Sequence, residues 1–206
     1  MVDSSDSELW AQVEAGSAEA FGKLFERHAK SVYNYCFRRT GDWTSAEDLV
    51  SVVFLEVWRK PERVVIRRGT LLPWLLGVAT NLSRNHRRSL RRYEAALGRL
   101  PDPNAGITPD FTEDLLGRLE AQSRLRPILT ELRKLPLREQ EVLALCVWTG
   151  LSYEDASVAL CVPIGTIRSR LARARKHLRA LVSDPGRESN HHVGIAIPCE
   201  PQEVPK

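Results

Sequence analysis

The chain predicts an all-α protein of two helical domains joined by a flexible linker. Apolar residues recur at three- and four-residue steps through most of the chain, and nothing alternates convincingly with period two. A stretch that cannot be regular helix, Pro101-Asp102-Pro103-Asn104-Ala105-Gly106 followed by Thr108-Pro109, interrupts that periodicity. At 206 residues there is room for two small domains, each with its own core. The expected limits are a first domain over residues 9–92, a linker over 93–117, a second domain over 118–183 and a disordered tail over 184–206.

The elements follow in order. A first helix is expected over Asp6–Ala15, ended by Gly16. Ser17 caps a second, with Phe21, Leu24, Phe25, His28, Val32, Tyr35 and Cys36 at helical spacing. Thr40-Gly41-Asp42 is a turn. Ser45 with Asp48 three residues on reads as a cap for a third helix, whose inward stripe is Ala46, Leu49, Val50, Val53 and Val57 and which Pro61 closes. A loop through Arg67-Arg68-Gly69 leads to a helix over Leu72–Ala79. Another runs from about Leu82 to Leu97, with Asn81 at the break between them. Phe111–Leu135 is expected to be helical with a break at Pro127, and Leu137–Thr149 to be one helix.

The last two elements lie in LSYEDASVALCVPIGTIRSRLARARKHLRAL, Leu151–Leu181. Ser152 is the N-cap of the first, with Asp155 placed to reach back. Cys161-Val162 breaks the pattern, and Pro163 suits the first turn of the next helix. Ile164, Ile167, Leu171, Ala174, Leu178 and Leu181 then form one apolar stripe. No acid occurs between Pro163 and Ser183, against six Arg and Lys. A helix-turn-helix whose second helix is apolar inward and arginine-rich outward has the shape and charge to enter a DNA major groove.

Charge is segregated. The formal net charge is only +4, yet Met1–Ala20 holds five acids and no base, and Arg63–Tyr93 holds eight arginines and no acid. Two basic blocks far apart in sequence imply two separate contacts with one nucleic acid. The amino terminus lacks the basic and apolar regions of a signal peptide, and no run approaches transmembrane length, so a cytoplasmic protein is expected. Cys36, Cys146 and Cys161 lie in apolar helical patterns and read as reduced core residues. Cys199 with His191 and His192 sits in a tail of disordered composition, so no metal and no cofactor are expected. Paired carboxylates in a metal-binding context and a nucleophile constellation are both missing, which argues against an enzyme acting on DNA.

Three stretches together resemble a bacterial RNA polymerase sigma factor of the extracytoplasmic-function class, the small type that keeps only sigma regions 2 and 4. SAEDLVSVVFLEVWRK, Ser45–Lys60, resembles the segment that docks on the β′ clamp helices of core RNA polymerase. PWLLGVATNLSRNHRR, Pro73–Arg88, resembles the segment that opens and reads the −10 element. Leu135–Arg179 resembles the domain that reads the −35 element and binds the β flap. The resemblance implies a non-enzymatic initiation factor whose partners are core polymerase, promoter DNA and an anti-sigma factor. The acids Asp102, Asp110, Glu113 and Asp114 would thread the positively charged channel of polymerase. A stand-alone helix-turn-helix regulator is the alternative, but it leaves the Arg63–Tyr93 block without a use.

Candidate residues follow from helical geometry and that resemblance. Thr166, Ser169, Arg170 and Arg173 share a face away from Ile167 and Leu171, with Arg168 on its flank. Arginine there suits bidentate contact with guanine. Arg175, Lys176 and Arg179 lie further along, as expected of phosphate contacts. At the −10 segment, Asn81 offers a donor and an acceptor to a flipped base or caps the following helix, and Arg84, Asn85, Arg87 and Arg88 follow it. Trp74 reads as core packing rather than a stacking platform. On the docking segment, Asp48, Ser51, Val52, Leu55 and Glu56 face outward, and exposed Val52 and Leu55 suit a protein interface. The family usually carries Gln followed by an acid where this chain has Ser51-Val52, so those polar contacts are expected to differ.

Overall fold

A computed structural model describes residues 4–97 and 129–183. Among these residues the chain is helical, and the nearest approach to a strand is one isolated bridge between Arg67 and Thr70. The Pro101–Thr108 linker sequence, its acids, most of the expected Phe111–Leu135 helix, and the tail with Cys199, His191 and His192 lie outside the described residues.

Helix α1 (Asp6–Glu14) starts at a capping box. Ser5 Oγ accepts from the Glu8 amide at 3.3 Å, and Glu8 Oε2 accepts from the Ser5 amide at 2.8 Å. Its first residue, Asp6, pins the domain. Asp6 is 3% exposed, and its Oδ2 accepts from the Leu71 amide at 2.7 Å and lies 2.7 Å from His28 Nε2. Its Oδ1 accepts from Arg27 at 2.6 Å. One carboxylate thus ties three segments remote in sequence. Burial by itself would raise the Asp6 pKa, but the Leu71 amide and the Arg27 guanidinium outweigh it and hold the carboxyl below its ordinary value.

Helix α2 (Ala18–Thr40) is capped by Ser17, which accepts from the Ala20 amide, and ends at Gly41 with φ 74°. Helix α3 (Trp43–Arg59) begins a turn earlier than the Ser45–Asp48 pattern predicts. The cap is Asp42, whose side chain accepts from the Ser45 amide at 2.8 Å. Because Gly41 reverses the chain at once, Asp42 is already in extended geometry and Trp43 can open the helix. A 3₁₀ turn, Pro61–Arg63, follows.

Helix α4 runs unbroken over Leu72–Leu97, where two helices separated at Asn81 were expected. The pattern reads as interrupted in sequence because polar Thr80 and Ser83 occupy inward positions. Both are buried, and both hydroxyls donate back to the carbonyl four residues earlier, at 2.7 Å each. Thr80 also meets Tyr35 Oη at 2.6 Å, joining α4 to α2. Asn81 therefore caps nothing. Trp74 packs half-buried against the core, as expected.

The second unit starts with a helical turn over residues 129–133 and α5 (Leu137–Leu143), which passes into a π turn, Ala144–Trp148, in place of one regular helix to Thr149. The Thr149 amide reaches back five residues to the Ala144 carbonyl. Helix α6 (Tyr153–Leu160) is capped by Ser152, and α7 spans Ile164–Ser183. No described helix is long and apolar enough to cross a membrane.

The two units pack against each other. Helix α4 lies along α6, and a Cβ added at Gly77 would come within 2.8 Å of the Ala159 carbonyl oxygen, so only glycine permits this approach. The buried apolar residues of both units form one continuous cluster. Cys36 is buried and Cys146 half-buried, and burial pushes their thiols up to about 12 and about 11. Cys161 departs from the expected core role. It is exposed, because its left-handed φ of 52° turns the side chain outward at the bend between α6 and α7.

Asp6→Ala is expected to cost about 3–5 kcal/mol, the range for breaking a buried pair by removing one partner, read as a lowered denaturant midpoint. Because the folded-state carboxyl titrates below its unfolded value, the Asp6 contribution is present above about pH 4. It is lost as pH falls through the folded value, and the mutant should lack that part of the acid transition.

Candidate nucleic-acid interface

The first candidate face is on α7. Ile167, Leu171 and Ala174 are almost fully buried against α5 and α6, which fixes the rotation of the helix. The bend that aims it is built on Cys161, whose amide donates to Val158, while the Val162 amide returns to Ser157 at 3.0 Å. The Pro163 carbonyl then accepts from the Thr166 and Ile167 amides. With the apolar stripe inward, Arg168, Ser169, Arg173, Arg175, Lys176 and Arg179 are exposed, and Thr166 and Arg170 are half-exposed. Thr166, Arg170 and Arg173 line one groove with Pro136–Glu139 at the start of α5. Burial, then the neighbouring Arg138, depresses the Arg170 pKa. Ser169 Oγ donates to the Thr166 carbonyl at 3.1 Å, and Arg173 Nε to the Ser169 carbonyl at 3.3 Å, so both side chains lie along the helix surface.

The second face is on α4. Asn81, Asn85 and Arg88 are exposed; Arg84 and Arg87 are half-buried. Arg84 makes a two-pronged bond to Glu141 of α5, Nε to Oε1 and Nη2 to Oε2, both at 2.6 Å. That bond raises the Arg84 pKa further. Arg84 Nη1 also donates to Asn81 Oδ1 at 3.1 Å. Arg87 reaches Gln140 Oε1 at 3.5 Å, beside Arg39 of α2 at 3.3 Å. Sequence reading missed Arg39 and Glu141. A signal existed for Glu141: it stands immediately before the apolar run Val142–Leu145, where an unpaired buried carboxylate is costly.

The third face is on α3. Asp48 and Ser51 are exposed, Val52 and Leu55 are 40% and 50% exposed, and Glu56 is half-exposed and paired to Lys60 at 2.7 Å. Ser51 Oγ donates to its own helix at Glu47. Two aromatic residues extend the apolar surface: Trp58, which sequence reading did not single out, and Phe25, which it placed in the helical stripe of α2 and which is exposed instead. The Trp58 ring centroid lies 4.9 Å from that of Phe21, and the Phe25 ring meets Phe54 edge-on at 4.7 Å. Trp58 and Phe25 both keep large exposed areas. Such a cluster exceeds the scattered apolar residues normal at a surface. Among the described residues, no group of three or more His, Cys, Asp or Glu side chains is arranged to hold a metal ion.

The family models for sigma-70 region 2 and sigma-70 region 4 match residues 24–93 and 125–178. The chain is 32% identical over 181 residues to the ECF RNA polymerase sigma factor BldN of Streptomyces coelicolor, covering 87% of this chain and 67% of BldN. It is 30% identical over 148 residues to the RNA polymerase sigma factor HrpL of Pseudomonas syringae, covering 72% of this chain and 78% of HrpL. Its fold superposes on CnrH, solved in complex with the cytosolic domain of CnrY, with a TM-score of 0.61 at 25% identity over 86% of this chain and 96% of CnrH. With a helix-turn-helix, a second arginine-lined helix and these relatives, the chain belongs to the extracytoplasmic-function class of RNA polymerase sigma factors.

Proposed function

We propose that the protein confers promoter specificity on core RNA polymerase. It joins the enzyme, places α7 in the major groove of the −35 element and applies α4 to the −10 element as that element opens. The observation that carries this reading is the coexistence of three faces on one chain: two arginine-rich helices from separate units and an exposed apolar patch on α3. A stand-alone regulator needs only the first. The work is binding and strand separation in the cytoplasm, with no bond made or broken by this chain.

On α7, Arg170 and Arg173 read base edges with Thr166, Ser169 and Arg168, while Arg175 and Lys176 hold phosphates. On α4, Asn81 receives an unstacked base, and Asn85, Arg87 and Arg88 line the path of the strand. Asp48, Ser51, Val52, Leu55 and Glu56 meet the β′ clamp helices, and the second unit meets the β flap. An anti-sigma partner would act by covering the α3 face. The acidic residues Asp102, Asp110, Glu113 and Asp114 run through the polymerase channel.

Run-off transcription with purified core polymerase, followed by start-site mapping, tests the whole reading. Defined starts that depend on the protein support it. Tight specific duplex binding without polymerase, and no defined starts with it, would favour a stand-alone regulator. Leu55→Glu should abolish most co-purification with core polymerase while helical circular dichroism is unchanged. Arg173→Ala should lose about 1–3 kcal/mol at one −35 base and relax the preference there, whereas Arg179→Ala should weaken binding without changing the ranking of promoters. An unchanged ranking with Arg173→Ala would make Arg173 a phosphate contact.

A further inference from the structure

The junction between the two units brings together charges that neither unit neutralises alone. Glu141 is fully buried, and its carboxylate is gripped by Arg84 at 2.6 Å through both oxygens, with Arg39 Nη2 3.9 Å from Oε1. The neighbouring Gln140 amide oxygen takes Arg39 at 3.3 Å and Arg87 at 3.5 Å. Three guanidinium groups from α2 and α4 therefore converge on two acceptors supplied entirely by α5. The first unit offers them no acid nearby in sequence: none occurs from Arg27 to Thr40 or from Arg63 to Tyr93. The Arg39 side chain is 5% exposed, and its Nε is buried without a partner. One donor of this cluster is thus unused even in the packed arrangement.

A carboxylate held by the fork of an arginine has the geometry of a phosphate held the same way. We propose that Arg39, Arg84 and Arg87 form a binding site for the phosphodiester backbone of the opened strand, and that Glu141 occupies this site when the two units are packed together. The site rests on the reading of α4 as the −10 face, and it adds Arg39, from another helix, to that face. Arg84 cannot hold Glu141 and a phosphate at once, so the packed arrangement withholds the −10 site. The outward face of α7 stays open. Parting the units costs the burial of Glu141 against Arg84 and the close seat of Gly77 on Ala159, and exposes a triple-arginine surface.

The test uses the full chain without polymerase and a short labelled single-stranded DNA of mixed sequence, read by fluorescence anisotropy across a salt series. Glu141→Gln keeps the side-chain volume and removes the competing charge. Gly77→Leu separates the units by steric conflict and leaves every charge in place. Each should tighten binding about tenfold, as the fraction of protein with a free site rises. Each should also steepen the log–log salt slope by about 0.7 for every additional phosphate neutralised. Adding Arg39→Ala to Glu141→Gln should reverse about one such increment of slope and part of the tighter binding. Circular dichroism confirms that each variant is folded, and an increased radius of gyration reports the parting in Gly77→Leu. If both folded variants bind with the wild-type affinity and slope, the junction is no phosphate site. If the tighter binding survives Arg39→Ala in full, Arg39 is excluded from it. Wild-type run-off transcription separates the two readings: protein-dependent starts, with no tighter binding by Glu141→Gln, overturn this inference alone.

Discussion

The arrangement of this molecule turns on a carboxylate that water cannot reach. Glu141 sits at zero exposure between the two helical units, and removing such a charge from water is tolerable only when an opposite charge meets it in good geometry. Arg84 supplies that geometry, both oxygens at 2.6 Å. The pair fixes the rotation of α4 relative to α5, because a two-pronged contact has little angular freedom. Once α4 is placed, Gly77 can lie on the Ala159 backbone and the apolar faces of both units close into one core. A bare hydrophobic contact would tolerate sliding; the ion pair sets the register.

The same junction explains the irregularity at the end of α5. Trp148 lies under the Arg38 guanidinium, 5.5 Å from its ring centroid, and the Trp148 carbonyl accepts from Arg38 at 3.2 Å. The π turn over Ala144–Trp148 inserts an extra residue per turn and carries Trp148 to α2. A regular helix there would rotate the tryptophan away from its arginine. Arg133 reinforces the seam by donating to the Thr40 carbonyl at the end of α2.

Much of the fold was legible because it is set locally. The caps at Ser17 and Ser152, the turn at Gly41 and the stripe Ile167–Leu171–Ala174 each need only a few neighbouring residues. The departures have one physical origin, a tertiary partner or backbone state that pattern alone does not carry. Thr80 and Ser83 look like a helix break because a buried hydroxyl is costly unless it is paired, and the structure satisfies each through a carbonyl of its own helix and, for Thr80, through Tyr35. Cys161 looks apolar by pattern, yet its backbone is left-handed and points it outward.

For the functional faces, sequence alone determined which helices are basic, which residues share a face on α7, and that Val52 and Leu55 stand out from α3. Helical periodicity and charge settle those matters before any tertiary contact forms. Only the tertiary structure decided that Trp58 and Phe25 extend the α3 patch, that Arg39 stands beside Arg84 and Arg87, and that Glu141 lies among them. Glu141 and Arg84 are 57 residues apart, with the linker between them. No local rule of spacing or propensity reaches across such a distance, so pairing there is set by how two separately formed helical surfaces find a common buried partner.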